Sequence, residues 1–445
     1  MPLTKSPSLA EPPRLPDFPH GEDLLQFIWE QQLFARHDLA TVEGNSVEVV
    51  KPGRLQPNSG PDFHDGRIRL DDQLFAGNIE VHVRASEWFL HRHHEDPAYD
   101  NVILHVVHTH DMDVRTSKGG RVPTLVLGDR ISKWSLAAYE RLMHTKAWVP
   151  CAGSIGAVDP ARIDFWLERL LIERLERKTK DVEQVIARCR GDEAEAFHQH
   201  LAAGFGFKVN AEPFAQLARA LPLKVLLKYR DNALRTEALV LGTAGLLQVD
   251  FVDEHPRRIQ EEFTALAVLH GLRPLSPAIW KFGRLRPANF PTVRLVQFAR
   301  LFSKLDGVFG RLLEQERAAD LIPLLEVEAD GYWHDHWLLD KTAKPEPKRL
   351  GSTAAELLVI NVIVPFLFAV GRLHGKPELA DRALGLLDQL PPEANTIIEG
   401  WESLGIRARS AARTQPLLEL KNEYCGQRRC LHCVIGTELL KRPAP

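Results

Sequence analysis

The chain has 445 residues, 44% of them hydrophobic and 26% charged, with a formal net charge of −3. This composition excludes a disordered or collagen-like chain, and the charge excludes a strongly basic protein while leaving room for local cationic patches. At this length a single hydrophobic core stops growing, so two or three domains are expected.

Residues 1–20, MPLTKSPSLAEPPRLPDFPH, form a Pro-rich arm without an uninterrupted apolar segment, so no signal peptide is expected. Glu22 to Phe34 has helical spacing: Leu24, Phe27, Ile28 and Gln31 share a stripe that Leu25, Trp29 and Leu33 broaden. Strands are predicted over Ser46 to Val50, Gly66 to Leu70 and Leu74 to Val83, separated by turn residues at Pro57 to Gly60 and at Asp71–Asp72. Trp88 to Tyr99 reads as a short helix or a loop. Val102 to Val107 is a further strand and Leu125 to Leu127 a short one. The order predicts an α/β mixed-sheet domain over residues 21–153.

The pattern changes between Pro150 and Pro160. Helical spacing runs from Pro160 to about Glu193 and returns through Phe197 to Phe205, Glu212 to Leu221, Thr236 to Leu247, Arg258 to His270, Pro291 to Phe302, Ala354 to Val370 and Pro392 to Ser403. Residues 154–410 are therefore predicted as a larger, mostly α-helical domain without a repeat of fixed period. Within it, Asn210 and Asp231–Asn232 read as helix caps. Ala354 to Val370 is short for a bilayer span and contains Pro365, so a buried core helix is expected and no membrane partner. Residues 411–445 form a cysteine-containing tail expected to pack back on the first domain.

The segment from Asn58 to Asp111 concentrates carboxylates and imidazoles on strand-like sequence. Glu80 and His82, two residues apart, point to one face of a strand while Ile79, Val81 and Val83 point to the other. Asp62 precedes a strand able to pair with this one as a hairpin, which brings its carboxylate towards the same point. Asp62 and Glu80, with the Val81 carbonyl and waters, would suit Mg²⁺ or Mn²⁺. His82, His94 and His105 soften the set towards Mn²⁺, Fe²⁺ or Zn²⁺, and the ion would lower the pKa of a bound water. The competing readings are a closed zinc site made of His82, His94 and His105, or, for the acids, a turn cap at Asp62 and a pairing of Glu80 with Arg67 or Arg84.

Two further groups stand out. Cys425, Cys430 and Cys433 form C-x4-C-x2-C, a ligand spacing for Zn²⁺ or a [4Fe–4S] cluster, with Cys151 the leading fourth ligand ahead of His432 and Cys189. Only five cysteines in so long a chain suit reduced thiols and a cytoplasmic location. Arg284, Arg286 and Arg294 surround Pro287 and Pro291, a cationic corner that would either clamp the phosphates of a nucleic acid or pack domains together.

The order of these elements resembles the core of the restriction-endonuclease-like, or PD-(D/E)xK, superfamily: a helix bearing an acid, a PD dipeptide, a D/E-x-K motif, then a helix and a strand. Pro61–Asp62 match the PD, Glu80 matches the acid of the second motif, and Glu22 or Glu30 matches the helical acid. His82 stands where that superfamily has lysine. The resemblance implies a nuclease-like fold with Asp62, Glu80 and His82 as catalytic residues. Some nucleases of that superfamily carry an iron–sulfur cluster joining one distant cysteine to three C-terminal ones, although Cys151 follows the core here where theirs precedes it. GPDF, AGNIEVHVRASEWFLHRHHEDPAYDNVILHVVHTHD, GFGFKVNAEPF (Gly204 to Phe214), DNALRTEALVLGTAGLL (Asp231 to Leu247), RLRPANFPTVRLVQFA (Arg284 to Ala299) and NEYCGQRRCLHCVIG (Asn422 to Gly436) resemble, over nearly the full chain, the bacterial family of domain of unknown function 2851. That family brings no reaction with it. The functional expectation is a metal-dependent phosphodiesterase or nuclease, set against a non-catalytic, metal-stabilised scaffold and a small-molecule metallohydrolase.

Overall fold

Period-2 alternation after Gly44 builds a six-stranded mixed sheet in the computed structural model, which describes residues 18–56, 60–304 and 307–441. The Pro-rich arm up to Asp17, and Pro57–Ser59 of the expected turn, lie outside the described residues. The chain divides into two compact units, one of residues 1–163 with 423–445 and the other of residues 164–422.

In the first unit, helix α1 (Glu22–Glu30) starts with two acids in its first turn, favourable at the positive end of a helix. It ends earlier than the apolar stripe suggests, because Gln32 takes a left-handed conformation (φ 52°) that cannot continue the ladder, and Phe34 bridges to Ile131 instead. Six strands follow: β1 (Val47–Lys51), β2 (Arg54–Leu55), β3 (Phe63–Leu70), β4 (Gln73–Arg84), β5 (Val102–Thr109) and β6 (Thr124–Val126). Their order is β1-β3-β4-β5-β6, with β2 also paired to β3. β3 is antiparallel to β1, β2 and β4, whereas β4–β5 and β5–β6 are parallel.

β3 starts at Phe63 rather than Gly66. Phe63 pairs with Ile79, and the register then shifts before Gly66, with Asp65 at φ 58°. This bulge hides the first three residues from a strict alternation rule. The segment expected as a short helix or loop is both: α2 (Glu87–Leu90) and two 3₁₀ turns, His93–Glu95 and Pro97–Tyr99. Trp88 anchors it in a small core with Tyr99, Val102, Val107, Val114 and Val122, its indole N–H donating to the Arg115 carbonyl at 2.9 Å. Helix α3 (Lys133–His144), capped by Ser132, was not anticipated; it buries only Ser135, Ala138 and Leu142, too thin a stripe to read from sequence.

The second unit is helical. It opens within the long α4 (Pro160–Arg188) and continues through α5 (Glu193–Phe205), α6 (Phe207–Ala220), α7 (Leu223–Lys228), α8 (Ala233–Thr243), α9 (Glu254–His270) and α10 (Pro291–Lys304). α10 is central, burying Pro291 to Ala299, Leu301 and Phe302; each fully buried Leu or Phe side chain contributes on the order of 2 kcal/mol. Ser352–Leu373 is the one helix among the described residues long and apolar enough to cross a membrane, and it is largely buried in this unit's core. Its turn over Val359–Ile363 widens to a π-helix just before Pro365, whose ring would clash with a regular α-turn.

Asn232 caps α8 by accepting from the Arg235 amide at 3.1 Å, as expected. Asn210 does not cap a helix. It sits at a kink inside α6 and uses its buried amide on both backbone groups of Lys281. Two short antiparallel pairs, Glu328–Ala329 with Lys348–Arg349 and His336–Leu338 with Lys341–Thr342, interrupt the helices, and two- and three-residue strands leave no alternating run to read.

Candidate metal centre

Along β4, side-chain parity separates Ile79 and Val81 from Glu80 and His82, and all four are buried. The apolar pair joins the core. The polar pair meets Asp62 at the start of β3 and His105 on β5, which is in register with Glu80.

The two carboxylates cross-brace the strands. The Asp62 amide donates to Glu80 Oε2 at 2.9 Å, and the Val81 amide donates to Asp62 Oδ2 at 3.0 Å. Gln26 of α1 hydrogen-bonds Asp62 and also donates to Glu22 Oε1 at 2.9 Å, so the helix brings a third acid to the group. Glu80 Oε1 lies 3.2 Å from His93 Nε2 and 3.6 Å from His82 Nε2. Glu80 therefore faces imidazoles, while Arg67 is exposed on β3.

The imidazoles form a connected set. His82 Nδ1 lies 2.9 Å from His105 Nε2, and His82 Nε2 lies 3.2 Å from His91 Nδ1. One nitrogen from each of His82, His91 and His93 falls within 4.8 Å of the others, a cluster able to coordinate a metal ion. Arg92, at φ 61°, turns the chain so that His91 and His93 both face His82. Stacking of His93 on Tyr99 at 3.8 Å and the edge of Trp88 at 5.4 Å fix its ring.

Burial dominates the electrostatics. It raises Glu80 to about 8, against the pull of the Asp62 amide. Burial and then the Glu80 charge raise Asp62 to about 7, and burial with Asp62 and Glu80 raises Glu22 to about 8. Burial followed by the neighbouring imidazoles pushes His82 down to about 2 and His105 to about 3, and burial also lowers His93. Acids inclined to protonate beside imidazoles inclined to stay neutral describe a pocket short of one positive charge. Neutral imidazole and carboxylate oxygen are also what a divalent transition metal takes as donors, so the residues fit such an ion.

The structure thus brings Asp62, Glu80, His82 and His105 together, with His105 behind His82. His94 stands apart: its Nε2 lies 3.3 Å from Glu95 and its ring packs on Phe89 at 4.9 Å. His91 and His93 take the places that sequence reading gave to His94. The run His91-Arg92-His93-His94 held the signal, but the single left-handed residue that decides which rings turn inward leaves no mark in composition.

The cationic corner is divided. Arg284 and Arg286 are exposed, whereas Arg294 is buried in α10, donating to Gln297 at 3.0 Å and Asn289 at 2.6 Å with its guanidinium over Phe207. The three do not form one surface clamp. Cys151, Cys425, Cys430 and Cys433 line a single small cavity within the first unit, while Cys189 packs against the helical core and His432 is exposed.

No curated protein and no solved structure is matched by this chain. A family profile described as a protein of unknown function, DUF2851, matches residues 22–396, which takes in the whole acid–histidine cluster and most of the helical unit. The chain belongs to the DUF2851 family.

Proposed function

We propose that the sheet unit is a metal-dependent phosphodiesterase acting on nucleic acid, with the metal held by His82, His91, His93 and Glu80. The observation that carries this reading is a buried convergence of acids and imidazoles without an internal cation. No arginine or lysine pairs with Glu22, Asp62 or Glu80 among the described residues, and Glu80 Oε1 points at His93. A divalent ion would supply the missing charge, polarise a phosphoester and lower the pKa of a bound water by several units. The imidazole-rich donor set favours Mn²⁺, Fe²⁺ or Zn²⁺ over Mg²⁺.

The chain's own groups divide the remaining work. With a metal on His82 Nε2, His82 Nδ1–H would donate to His105 Nε2, 2.9 Å away, and His105 would thereby fix the tautomer that turns the Nε2 lone pair toward His91 and His93. Asp62, raised to about 7, is poised to accept a proton near neutral pH. His91 is exposed while His82 and His93 are buried, so the set opens to solvent on one side, as a catalytic centre requires and a closed structural site does not. The substrate class rests on the order of elements: Glu22 on α1, Pro61–Asp62 leading into β3, Glu80 and His82 on β4, then α2 and the parallel β5. This order supports the resemblance to the restriction-endonuclease-like core.

The test is hydrolysis of an aryl phosphodiester and of single- and double-stranded DNA by protein loaded with Mn²⁺, Zn²⁺ or Mg²⁺. Glu80→Gln and His93→Ala are expected to lower metal-dependent turnover by about 10²–10⁴-fold, and His94→Ala to leave it unchanged. Metal-dependent cleavage that survives both Glu80→Gln and His93→Ala would sink the assignment.

A further inference from the structure

Four of the chain's five cysteines meet in one place. Cys151 lies in the turn after Val149, shortly before the chain leaves the first unit at Ile163. Cys425 follows directly on its return at Glu423, and Cys430 and Cys433 flank the 3₁₀ turn leading into the last helix, Val434–Lys441. Their shared cavity measures only about 10 Å³ and also touches Tyr424 and Arg429. Cys151, Cys430 and Cys433 are buried, Cys425 is half-buried, and all are thiols rather than disulfides.

The surrounding loop is shaped for close approach. A Cβ at Gly436 would come within 2.2 Å of the Cys430 carbonyl oxygen, so only glycine lets the last helix pack against that turn. Arg428, in a left-handed conformation, donates to the carbonyls of Leu142, Met143 and Thr145 and closes the C-terminal end of α3. Ser135 donates to the Leu440 carbonyl at 2.9 Å, and Arg162 pairs with Glu438. The frame holds the segments together from outside, while the four cysteines line the small cavity within it. Thiols used as small hydrophobes have no need to converge from opposite ends of a chain.

We infer that Cys151, Cys425, Cys430 and Cys433 form a tetrathiolate metal centre that ties the C-terminal segment to the turn after α3. The ligand chemistry is that of a thiophilic metal, either one Zn²⁺ or one [4Fe–4S] cluster. Zn–S bonds place the sulfurs of a zinc tetrahedron about 3.8 Å apart. Burial and the neighbouring cysteines push Cys151 up to about 12, and burial does the same for Cys430; a bound cation reverses that preference by stabilising thiolate. The centre closes the long excursion of chain between the two parts of the first unit, the kind of loop whose closure most restricts the unfolded chain. The three clustered cysteines lie beyond the residues matched by the family profile, and the inference is independent of the hydrolase reading.

The experiment uses the full chain purified without oxygen, with metal and acid-labile sulfide analysis, visible absorption, and Co²⁺ loading as a probe of thiolate ligation. Iron and sulfide near four each per chain, with visible absorption, assigns the cluster. One zinc per chain, replaceable by Co²⁺ with thiolate-to-metal charge-transfer bands that histidines cannot give, assigns zinc. In either case Cys151→Ser and Cys430→Ser lose this metal by about tenfold or more while Cys189→Ser keeps it, and the segment after Glu423 becomes sensitive to protease. Cys425→Ser, at the half-buried position, provides a variant whose fold is checked by circular dichroism, and loss of metal with the fold intact supports the centre. No thiolate-bound metal after reconstitution with iron and sulfide or with zinc overturns it, as does full retention by the Cys151 and Cys430 variants.

Discussion

Two buried glutamates, one in each unit, separate a structural site from one that requires a ligand. Glu237 on α8 is fully buried and surrounded by donors: Trp333 and His255 reach Oε1 at 2.8 and 2.7 Å, and Arg300 reaches Oε2 at 2.8 Å. Burial raises its pKa, but the His255 hydrogen bond and the Arg300 charge outweigh that and hold the carboxyl below its usual range. Glu80 is 4% exposed and receives the Asp62 amide, and its free oxygen faces imidazoles that are themselves neutral, so it is pushed up to about 8. The histidines divide in the same way. His198 in the helical unit satisfies one nitrogen on the Leu221 carbonyl at 3.0 Å, whereas His82 spends both nitrogens on other histidines. A buried ionisable group with its counter-charge built in belongs to the scaffold; one without it marks where an external ion fits.

The largest expected effect tests the built-in counter-charge. Arg300→Ala leaves Glu237 buried without its permanent cation and should destabilise the helical unit by about 3–5 kcal/mol in urea unfolding. Glu80→Gln in metal-free protein breaks no pair with a permanent cation and keeps an oxygen for the Asp62 amide, and should change stability by less than about 1 kcal/mol. Equal losses in the two variants would erase the distinction.

A pH experiment gives the next largest effect. Burial, then the neighbouring Lys178 charge, pushes His200 down to about 4, against a backbone hydrogen bond at Val362 that pulls the other way. With the folded pKa below the unfolded value, its contribution is fully present above pH 6.5 and is lost as pH falls through 4. The loss amounts to at most about 3 kcal/mol. His200→Gln should flatten this acid limb, read as denaturation midpoints between pH 7 and 4. An unchanged slope would show that the helical unit does not bury this histidine at a cost.

A smaller effect sharpens the other side. His105→Gln keeps the β5 backbone but disturbs the partner that orients His82, and metal affinity measured by titration calorimetry should fall by about 10–100-fold. An unchanged affinity would place His105 among bystanders of the cluster.

Much of the fold could be read directly. The strand at Val47 announces itself by alternation and α9 by its stripe, because in each one face is buried at a regular period, whereas β5 and α10 are buried nearly throughout and announce themselves as apolar runs. Legibility failed where the period breaks or the element is too short: the bulge at Asp65, the thin stripe of α3, and the small strand pairs near Trp337. It failed also where one dihedral angle decides a side chain's direction, as at Arg92, which turns His93 inward while His94 pairs with Glu95. Arg294 belongs to this class too, since nothing in RLRPANFPTVR distinguishes the arginine that α10 buries from the two that stay in solvent.

The sequence by itself determined a mixed sheet followed by a helical region, and it placed Asp62, Glu80 and His82 on a common hairpin, because strand period is a local property that every residue reports. Only the tertiary structure decided that His91 and His93 complete the cluster and that Arg294 is interior. Each of these depends on segments far apart in the chain or on a single backbone turn, and composition and spacing carry no record of either.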